Sequence, residues 1–117
     1  MTNNEIIMSA LNGQITQGTK NVPIAYMQYK GDSQTYITFR EIDKTPEFSA
    51  DNECEYSIAK FTVDIFSKGN LLDIVSQVKE KMKANDFSWF EDSPDLYEED
   101  TKYYHKALTF EIINYKE

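Results

Sequence analysis

Residues 55–82, EYSIAKFTVDIFSKGNLLDIVSQVKEKM, contain a long strand pattern that runs almost directly into a helix pattern. From residue 55 to residue 67, apolar and polar side chains alternate, which is the period of a β-strand. After Asn70, a suitable helix cap, apolar residues recur at helical spacing. They are Leu71, Ile74, Val75, Val78 and Met82. A strand followed directly by an amphipathic helix predicts a fold with both element types packed together.

The two faces of this strand differ in character. One face is wholly apolar and carries Ala59, Phe61, Val63 and Ile65. We predict that it packs under the helix. The other face is mixed and carries Tyr56, Ile58, Lys60, Thr62, Asp64 and Phe66. Such asymmetry predicts an antiparallel sheet with one covered face and one presented face, which we interpret as a contact or lumen surface.

The rest of the chain supplies a second helix and further strands. Asn4 is the predicted cap of a first helix, which has an apolar face and ends near Gly13; that face carries Ile6, Ile7, Ala10 and Leu11. Strands are predicted at residues 22–26, 35–42, 87–90 and 103–115. Pro23 places the first of these strands at a sheet edge or strand end.

We therefore predict the α+β class, with an antiparallel-dominated sheet of four to five strands and two helices packed mainly on one face. The predicted order is α-β-β-β-α-β-β, and residues 1–117 are expected to form one domain. Residues 14–21 are predicted to be a polar connector. Residues 43–54 and 91–102 are predicted to be long acidic connections that can extend toward a neighbouring molecule.

Composition restricts the partners of this chain. The formal net charge is −8, and Arg40 is the only arginine among twelve basic residues. An acidic surface repels nucleic acid phosphates and anionic membranes. Lys79, Lys81 and Lys83 form the densest basic group and fit the solvated side of a helix. The N-terminus does not resemble a secretory signal and no apolar run approaches bilayer length, so we expect synthesis in the cytosol and no membrane partner.

Residue patterns for catalysis or metal binding are incomplete. Residues 13–20, GQITQGTK, end in Gly-Thr-Lys where a phosphate loop needs Gly-Lys-Thr or Gly-Lys-Ser. The acids of residues 91–100 lack the spacing of an EF-hand. Cys54 and His105 are the sole cysteine and histidine, and the sequence leaves open whether they meet. We expect no enzymatic activity, no catalytic residues, no cofactor and no metal.

Aromatic side chains divide into a core group and a group available for contacts. Phe39, Phe61 and Phe110 lie on inward faces. Trp89, Phe48, Tyr97, Tyr103 and Tyr36 fall on outward faces or in connections, where aromatics are typical of protein interfaces. Together with the mixed strand face and the second acidic connection, they give a predicted oligomer or partner interface. Its residues are Phe48, Tyr56, Lys60, Asp64, Phe66, Trp89, Tyr97, Glu98, Glu99, Asp100 and Tyr103.

Five short segments resemble a known family. They are VPIAY at 22–26, YITF at 36–39, VDIFSK at 63–68, YEED at 97–100 and YYHK at 103–106. In this order they resemble the small tail-terminator, or tail-completion, proteins of long-tailed bacteriophages and prophages, which take part in head–tail joining. The resemblance covers most of the chain from about residue 20 to residue 115.

The resemblance implies a structural protein without enzymatic residues. Members form a six-membered homo-oligomeric ring that caps the last ring of the tail tube, ends polymerisation and meets the head connector. The implied partners are further copies of the chain, the tail tube protein and the connector or neck protein, and DNA passes through the ring without specific binding. The subunit can remain monomeric until it meets a tube end. Its expected locations are the host cytoplasm during assembly and then the virion tail or neck.

Two alternatives stay open. The first is a neck or stopper protein that completes the head, and it belongs to the same structural class. The second, from a different class, is an acidic DNA mimic that inhibits a DNA-binding partner. A mimic is expected to order its acids at phosphate-like spacing along one face, whereas these acids concentrate in two predicted connections.

Overall fold

The computed structural model describes residues 2–48 and 54–115. Its helices are α1 (Asn3–Leu11) and α2 (Leu72–Ala84). Its strands are β1 (Thr16–Gln17), β2 (Lys20–Asn21), β3 (Ile24–Tyr26), β4 (Thr35–Phe48), β5 (Cys54–Ser67), β6 (Ser88–Asp92), β7 (Leu96–Glu98) and β8 (Tyr103–Tyr115). The predicted α+β class is confirmed.

The main sheet has six described strands and is mixed. Its order is β3-β4-β5-β8-β6, and β7 also pairs with β8. The β3–β4 pair is parallel and the others are antiparallel. The sheet therefore has more strands than the four to five that the sequence predicts. Two parallel strands usually need a long crossover between them, because the chain must travel back along the first strand. β3 has only three residues, so this distance is only about 10 Å and a short connection is enough. Pro23 directly precedes β3, an edge strand, as its position predicted.

The segment predicted as a polar connector at residues 14–21 contains a small separate hairpin. β1 and β2 pair with each other through Thr16 with Asn21 and Gln17 with Lys20. Gly18, in the tight turn between them, has a φ of 62°. Glycine adopts this left-handed backbone without the steric cost that a side chain brings. The sequence pattern missed this hairpin because two-residue strands carry no readable alternation.

One face of the sheet and both described helices form the core. The predicted inward residues of β5 are all at most 2% exposed, and Val63 pairs with Phe39 on β4 and Leu108 on β8. The helices add their buried residues to the same cluster, namely Ile7, Ala10, Leu11, Ile74, Val75, Val78 and Met82. Burying one such large apolar side chain contributes about 1.5–3 kcal/mol. The helices therefore pack on one face, as predicted.

The first helix begins differently from the prediction. Thr2 is its cap, not Asn4: the Thr2 hydroxyl accepts from the Glu5 amide at 3.1 Å, and the Glu5 carboxylate accepts from the Thr2 amide at 3.1 Å. This reciprocal capping box satisfies two backbone donors, which a single Asn side chain does not. The hydrogen bond from the Thr2 backbone lowers the pKa of Glu5.

The second helix begins near Asn70, its predicted cap, but Asn70 does not occupy the cap position itself. Leu71 occupies the cap position, and its side chain makes no capping bond. Asn70 lies one residue earlier, and its side-chain oxygen accepts from the Leu72 amide at 2.9 Å. The helix ends at Ala84, two residues before Asp86, which has a φ of 70°.

The largest difference from the prediction lies at residues 43–48. They do not form a connection but continue β4, which pairs with β5 as far as Phe48 opposite Cys54. Residues 49–53 of the predicted connection lie outside the described residues. A bulge lies between Glu41 and Asp43. This segment contains charged residues and a proline, which are typical of exposed edge strands as well as of loops. Its sequence therefore does not distinguish a strand from a connection.

We call residues 43–48 and 54–58 the arm. Residues 43–48 pair with β5, and residues 56–58 also pair with residues 113–115 of β8. The described molecule is elongated, with extents of 52 × 26 × 23 Å and a Cα radius of gyration of 15.5 Å. A compact domain of this length has a radius near 13 Å. β3 pairs only with residues 37–39, so no strand of the described residues pairs with the outer edge of β4 along the arm.

The second predicted acidic connection is also structured. Residues 91 and 92 complete β6, and β7 then forms a hairpin with the start of β8. The turn between β7 and β8 holds Glu99 and Asp100, and it closes with Lys102 at a φ of 66°. The Lys102 amide donates to the Glu98 carbonyl oxygen at 2.8 Å. The acids are therefore divided between strands and an exposed turn.

Candidate functional site

The mixed face of β5 is the centre of a surface that neither described helix covers. We call it the outer face. Three rows cross β4, β5 and β8 in register: Tyr36–Phe66–His105, Thr38–Asp64–Ala107 and Arg40–Thr62–Thr109. The three threonines in these rows are less than 10% exposed. The outer face is thus an ordered polar and aromatic surface.

Four rings stack along one end of the outer face. Tyr29 lies 4.6 Å from Tyr36, Tyr36 lies 4.7 Å from Phe66, and Phe66 lies 4.2 Å from His105, measured between ring centroids. Tyr103 meets Tyr36 edge-on at 5.4 Å. We call these five residues the aromatic stack. Such pairs are worth about 0.5–1.5 kcal/mol each beyond the area they bury, so the stack stiffens this end of the sheet.

Hydrogen bonds and charges hold the stack in place. The Tyr103 hydroxyl donates to the Ser33 carbonyl oxygen at 2.7 Å, and His105 Nε2 lies 3.1 Å from Asp64 Oδ1. The Lys68 ammonium lies 5.0 Å from the ring centroid of Tyr103. Burial raises the pKa of Tyr36, with further contributions from Tyr103 and other neighbouring groups. Its phenol therefore stays neutral at physiological pH.

The middle of the outer face carries Lys60. In the sheet register it stands between Asp43 on β4 and Glu111 on β8. Its ammonium also lies 4.0 Å from the ring centroid of Phe90. A register irregularity in β6 between Trp89 and Glu91 leaves Phe90 without a ladder partner, which frees its ring to meet Lys60.

A groove lies on the helix side of the sheet, between the first half of α2 and the start of β8. Its volume is about 800 Å³, and we call it the α2 groove. Leu71, Val75 and Tyr104 contribute apolar wall, and Leu72 is 74% exposed beside them. The lysines that line it are Lys68, Lys79 and Lys106. Asp92 and Asp95 line it as well, so the groove is an apolar depression with a rim of both charges.

Two ion pairs shape the far wall of the α2 groove. Lys79 Nζ lies 2.9 Å from Asp92 Oδ2, and Lys106 Nζ lies 2.9 Å from Asp95 Oδ1. The hydrogen bond to Asp95 raises the pKa of Lys106. Burial alone raises the pKa of Asp92, but hydrogen bonds from Lys79 and from the Trp89 indole at 2.7 Å outweigh it, so the pKa of Asp92 is lowered.

The structure divides the predicted interface residues among three places. Lys60, Asp64, Phe66 and Tyr103 share the outer face, and Glu98 pairs with Tyr103 at its edge. Phe48 and Tyr56 lie on the arm, at the opposite end of β5. The remaining residues lie along the β6–β8 side: Trp89 beside α2, Tyr97 in contact with Tyr104 at 4.9 Å, and Glu99 and Asp100 in the β7–β8 turn.

Sequence reasoning missed parts of these surfaces. The spacing of His105 and Tyr103, two residues apart on β8, is the sequence signal that both face the same side of the sheet. Tyr29 lies between β3 and β4, where no periodicity predicts a direction. Lys79 was predicted to be solvated, but it lines the α2 groove, which only the packing of α2 against β8 creates.

A Cys54–His105 nucleophile pair does not form within one chain. His105 pairs with Phe66, twelve residues along β5 from Cys54, and that strand length corresponds to about 40 Å. Within residues 2–48 and 54–115, no group of three or more His, Cys, Asp or Glu side chains is placed to hold a metal ion. Neither described helix has the length and apolarity needed to cross a membrane.

Comparison with known proteins adds no relative. Neither a scan against models of protein families nor a search of the curated proteins gave a match. The resemblance to tail terminators therefore remains a prediction that rests on the sequence segments alone.

Proposed function

We propose that this chain is a structural subunit that forms a ring on the end of a phage tail tube, ends tube polymerisation and joins the tail to the head connector. The observation that supports it best is the arm. Its residues 43–48 pair with β5, yet the nearest buried core residues are Phe39 on β4 and Ala59 on β5. Ordering each residue costs about 1–2 kcal/mol of backbone entropy, so a contact with another molecule is the natural role of the arm.

Exposed apolar side chains on and beside the arm point the same way. Phe48 is 60% exposed, Ile42 47% and Tyr115 73%. Large apolar side chains at the end of a projecting element are typical of protein interfaces. A ring subunit needs such a surface for its neighbour, and the net charge of −8 suits a channel that must let DNA pass without holding it.

Deleting the gene from its phage or prophage tests the proposal. We expect electron micrographs of the lysate to show tail tubes of uncontrolled, excessive length, because nothing ends polymerisation. A neck or stopper protein would instead leave tails of normal length lying unattached to heads. An acidic DNA mimic would leave intact particles, and that outcome would refute any structural role.

The exposed turn between β7 and β8 provides a second test. The triple variant Glu98→Lys, Glu99→Lys and Asp100→Lys leaves Asp92 and Asp95 in their ion pairs, so we expect it to fold normally. We expect defective tail assembly or DNA passage, scored by particle morphology and infectivity. The exposed Glu80→Lys on α2 is the matched control. Normal infectivity of the triple variant would remove this turn from the proposed interface.

A further inference from the structure

We infer that the arm of one copy of this chain docks in the α2 groove of a second copy, head to tail. This inference rests on the proposed function, because the contact would join neighbouring subunits of the ring. The contact itself can be measured with the purified protein, without any phage component. It names the two surfaces that adjacent subunits would use.

The positions of the two surfaces support a head-to-tail contact. The arm contains Cys54, the first residue of β5, and the α2 groove begins at Lys68, just after β5 ends. Fourteen strand residues separate the two sites by about 45 Å. Two different patches at opposite ends of one subunit give a heterologous contact, which closes into a ring when the rotation between subunits allows it.

The charges of the two surfaces are complementary. The arm carries Asp43, Glu47 and Glu55 against one base, Lys44. The groove carries Lys68, Lys79 and Lys106 against Asp92 and Asp95, which pair with the last two lysines. One positive charge is therefore left, that of Lys68, whose ammonium also lies 5.0 Å from the ring centroid of Tyr103. Opposite charges on two patches steer a specific encounter and disfavour contact of like patches.

The shapes are complementary as well. Phe48 stands at the described end of the arm and is 60% exposed, with Glu47 beside it. The groove offers about 800 Å³ bordered by Leu71, Val75 and Tyr104. An aromatic side chain that enters an apolar depression inside a charged rim is the usual composition of an interface hot spot. Phe48 is therefore the anchor of the contact.

Directed cross-linking tests this inference even if association is weak. In a Cys54→Ser background, one variant carries Thr45→Cys on the arm and another carries Ser76→Cys in the groove; both positions are exposed. The two purified proteins are mixed and treated with a short bismaleimide. We expect the Thr45→Cys–Ser76→Cys heterodimer to exceed either homodimer by about tenfold.

Matched variants identify the side chains responsible. Adding Phe48→Ser to the arm variant should lower the heterodimer yield about tenfold, as should Lys68→Glu in the groove variant. Glu47→Lys on the arm should restore part of the yield against Lys68→Glu. Lys30→Glu, an exposed position on neither surface, should change nothing. Thermal unfolding of each variant shows whether it is folded, so that a lower yield of heterodimer is not due to unfolding.

Three outcomes would overturn the inference. Excess Thr45→Cys homodimer would mean that two arms pair with each other along their open edges, and excess Ser76→Cys homodimer would mean a symmetric groove contact. Equal or background amounts of all three species would mean that no arm–groove contact exists. If gene deletion gives overlong tails but no heterodimer forms, the proposed function stands and the ring uses another interface. If the heterodimer forms but the tails are normal after gene deletion, the arm–groove contact stands and only the tail function is rejected.

Discussion

Phe66 occupies the centre of the aromatic stack, between Tyr36 at 4.7 Å and His105 at 4.2 Å. Its position follows from strand alternation, because it lies one residue beyond the buried Ile65 and so points to the other face. What alternation did not show is that its neighbours on β4 and β8 are also rings. The sheet register brings the three into one row.

Replacing Phe66 measures what the stack contributes. We expect Phe66→Ala to lower the free energy of unfolding by about 1–3 kcal/mol, because two ring contacts and part of a buried side chain are lost. Urea denaturation followed by fluorescence measures this change. Leu72→Ala is the control, since Leu72 is 74% exposed and its loss should cost less than about 0.5 kcal/mol. Equal effects of the two substitutions would show that the stack does not stabilise the fold.

Asp92 gives a prediction about pH. Its pKa in the folded chain lies below the usual 3.8, so its ionised form stabilises the fold above that pH, and the stabilisation is lost as the pH falls through the folded pKa. Asp92→Asn should therefore cost about 1 kcal/mol at pH 7 and less near pH 3, a modest figure because Lys79 is partly solvated. Urea titrations of both proteins at the two pH values test this prediction. A difference that persists unchanged at pH 3 would contradict it.

The arm shows why element boundaries are hard to predict. Residues 43–48 contain charges and Pro46, so local propensity favours a connection. Their pairing with β5 satisfies the backbone groups along one side, and solvent satisfies the other, so no apolar alternation is needed. A partner strand supplied by the chain itself overrides the weak local preference.

Shortening the arm should spare the body of the molecule. Replacing residues 46–57 with Asn-Gly joins Thr45 to Ile58, which are already paired across the hairpin, through a favourable two-residue turn. We expect cooperative unfolding and a loss of less than about 2 kcal/mol, since the core residue nearest the cut is Ala59. Thermal and urea denaturation measure the change. An unfolded or molten product would mean that the arm belongs to the folding core.

The charge of the whole molecule predicts how it treats DNA. With a net charge of −8, we expect no binding of a fluorescent DNA duplex in low salt at protein concentrations up to about 0.1 mM, where non-specific DNA-binding proteins have bound. Fluorescence anisotropy measures it. Saturable binding that weakens as salt increases would contradict this prediction and the proposed unhindered passage of DNA.

The strong patterns predicted much of the structure. The alternation of β5 and the stripe of α2 predicted which residues are buried, and Phe39, Phe61 and Phe110 lie in the core as expected. The predicted interface residues, by contrast, are spread over the outer face, the arm and the β6–β8 side. Sequence spacing predicts the face of an element on which a residue lies, but it carries no information about which elements become neighbours.

The sequence by itself determined the α+β class, the inward faces of its main strand and helices, and the acidic surface, because each depends on local periodicity or on composition. The tertiary structure alone decided the parallel pairing of β3, the aromatic stack, the arm and the α2 groove. Each of these depends on contacts between residues far apart in the chain, where register and packing, and not local preference, select the partners.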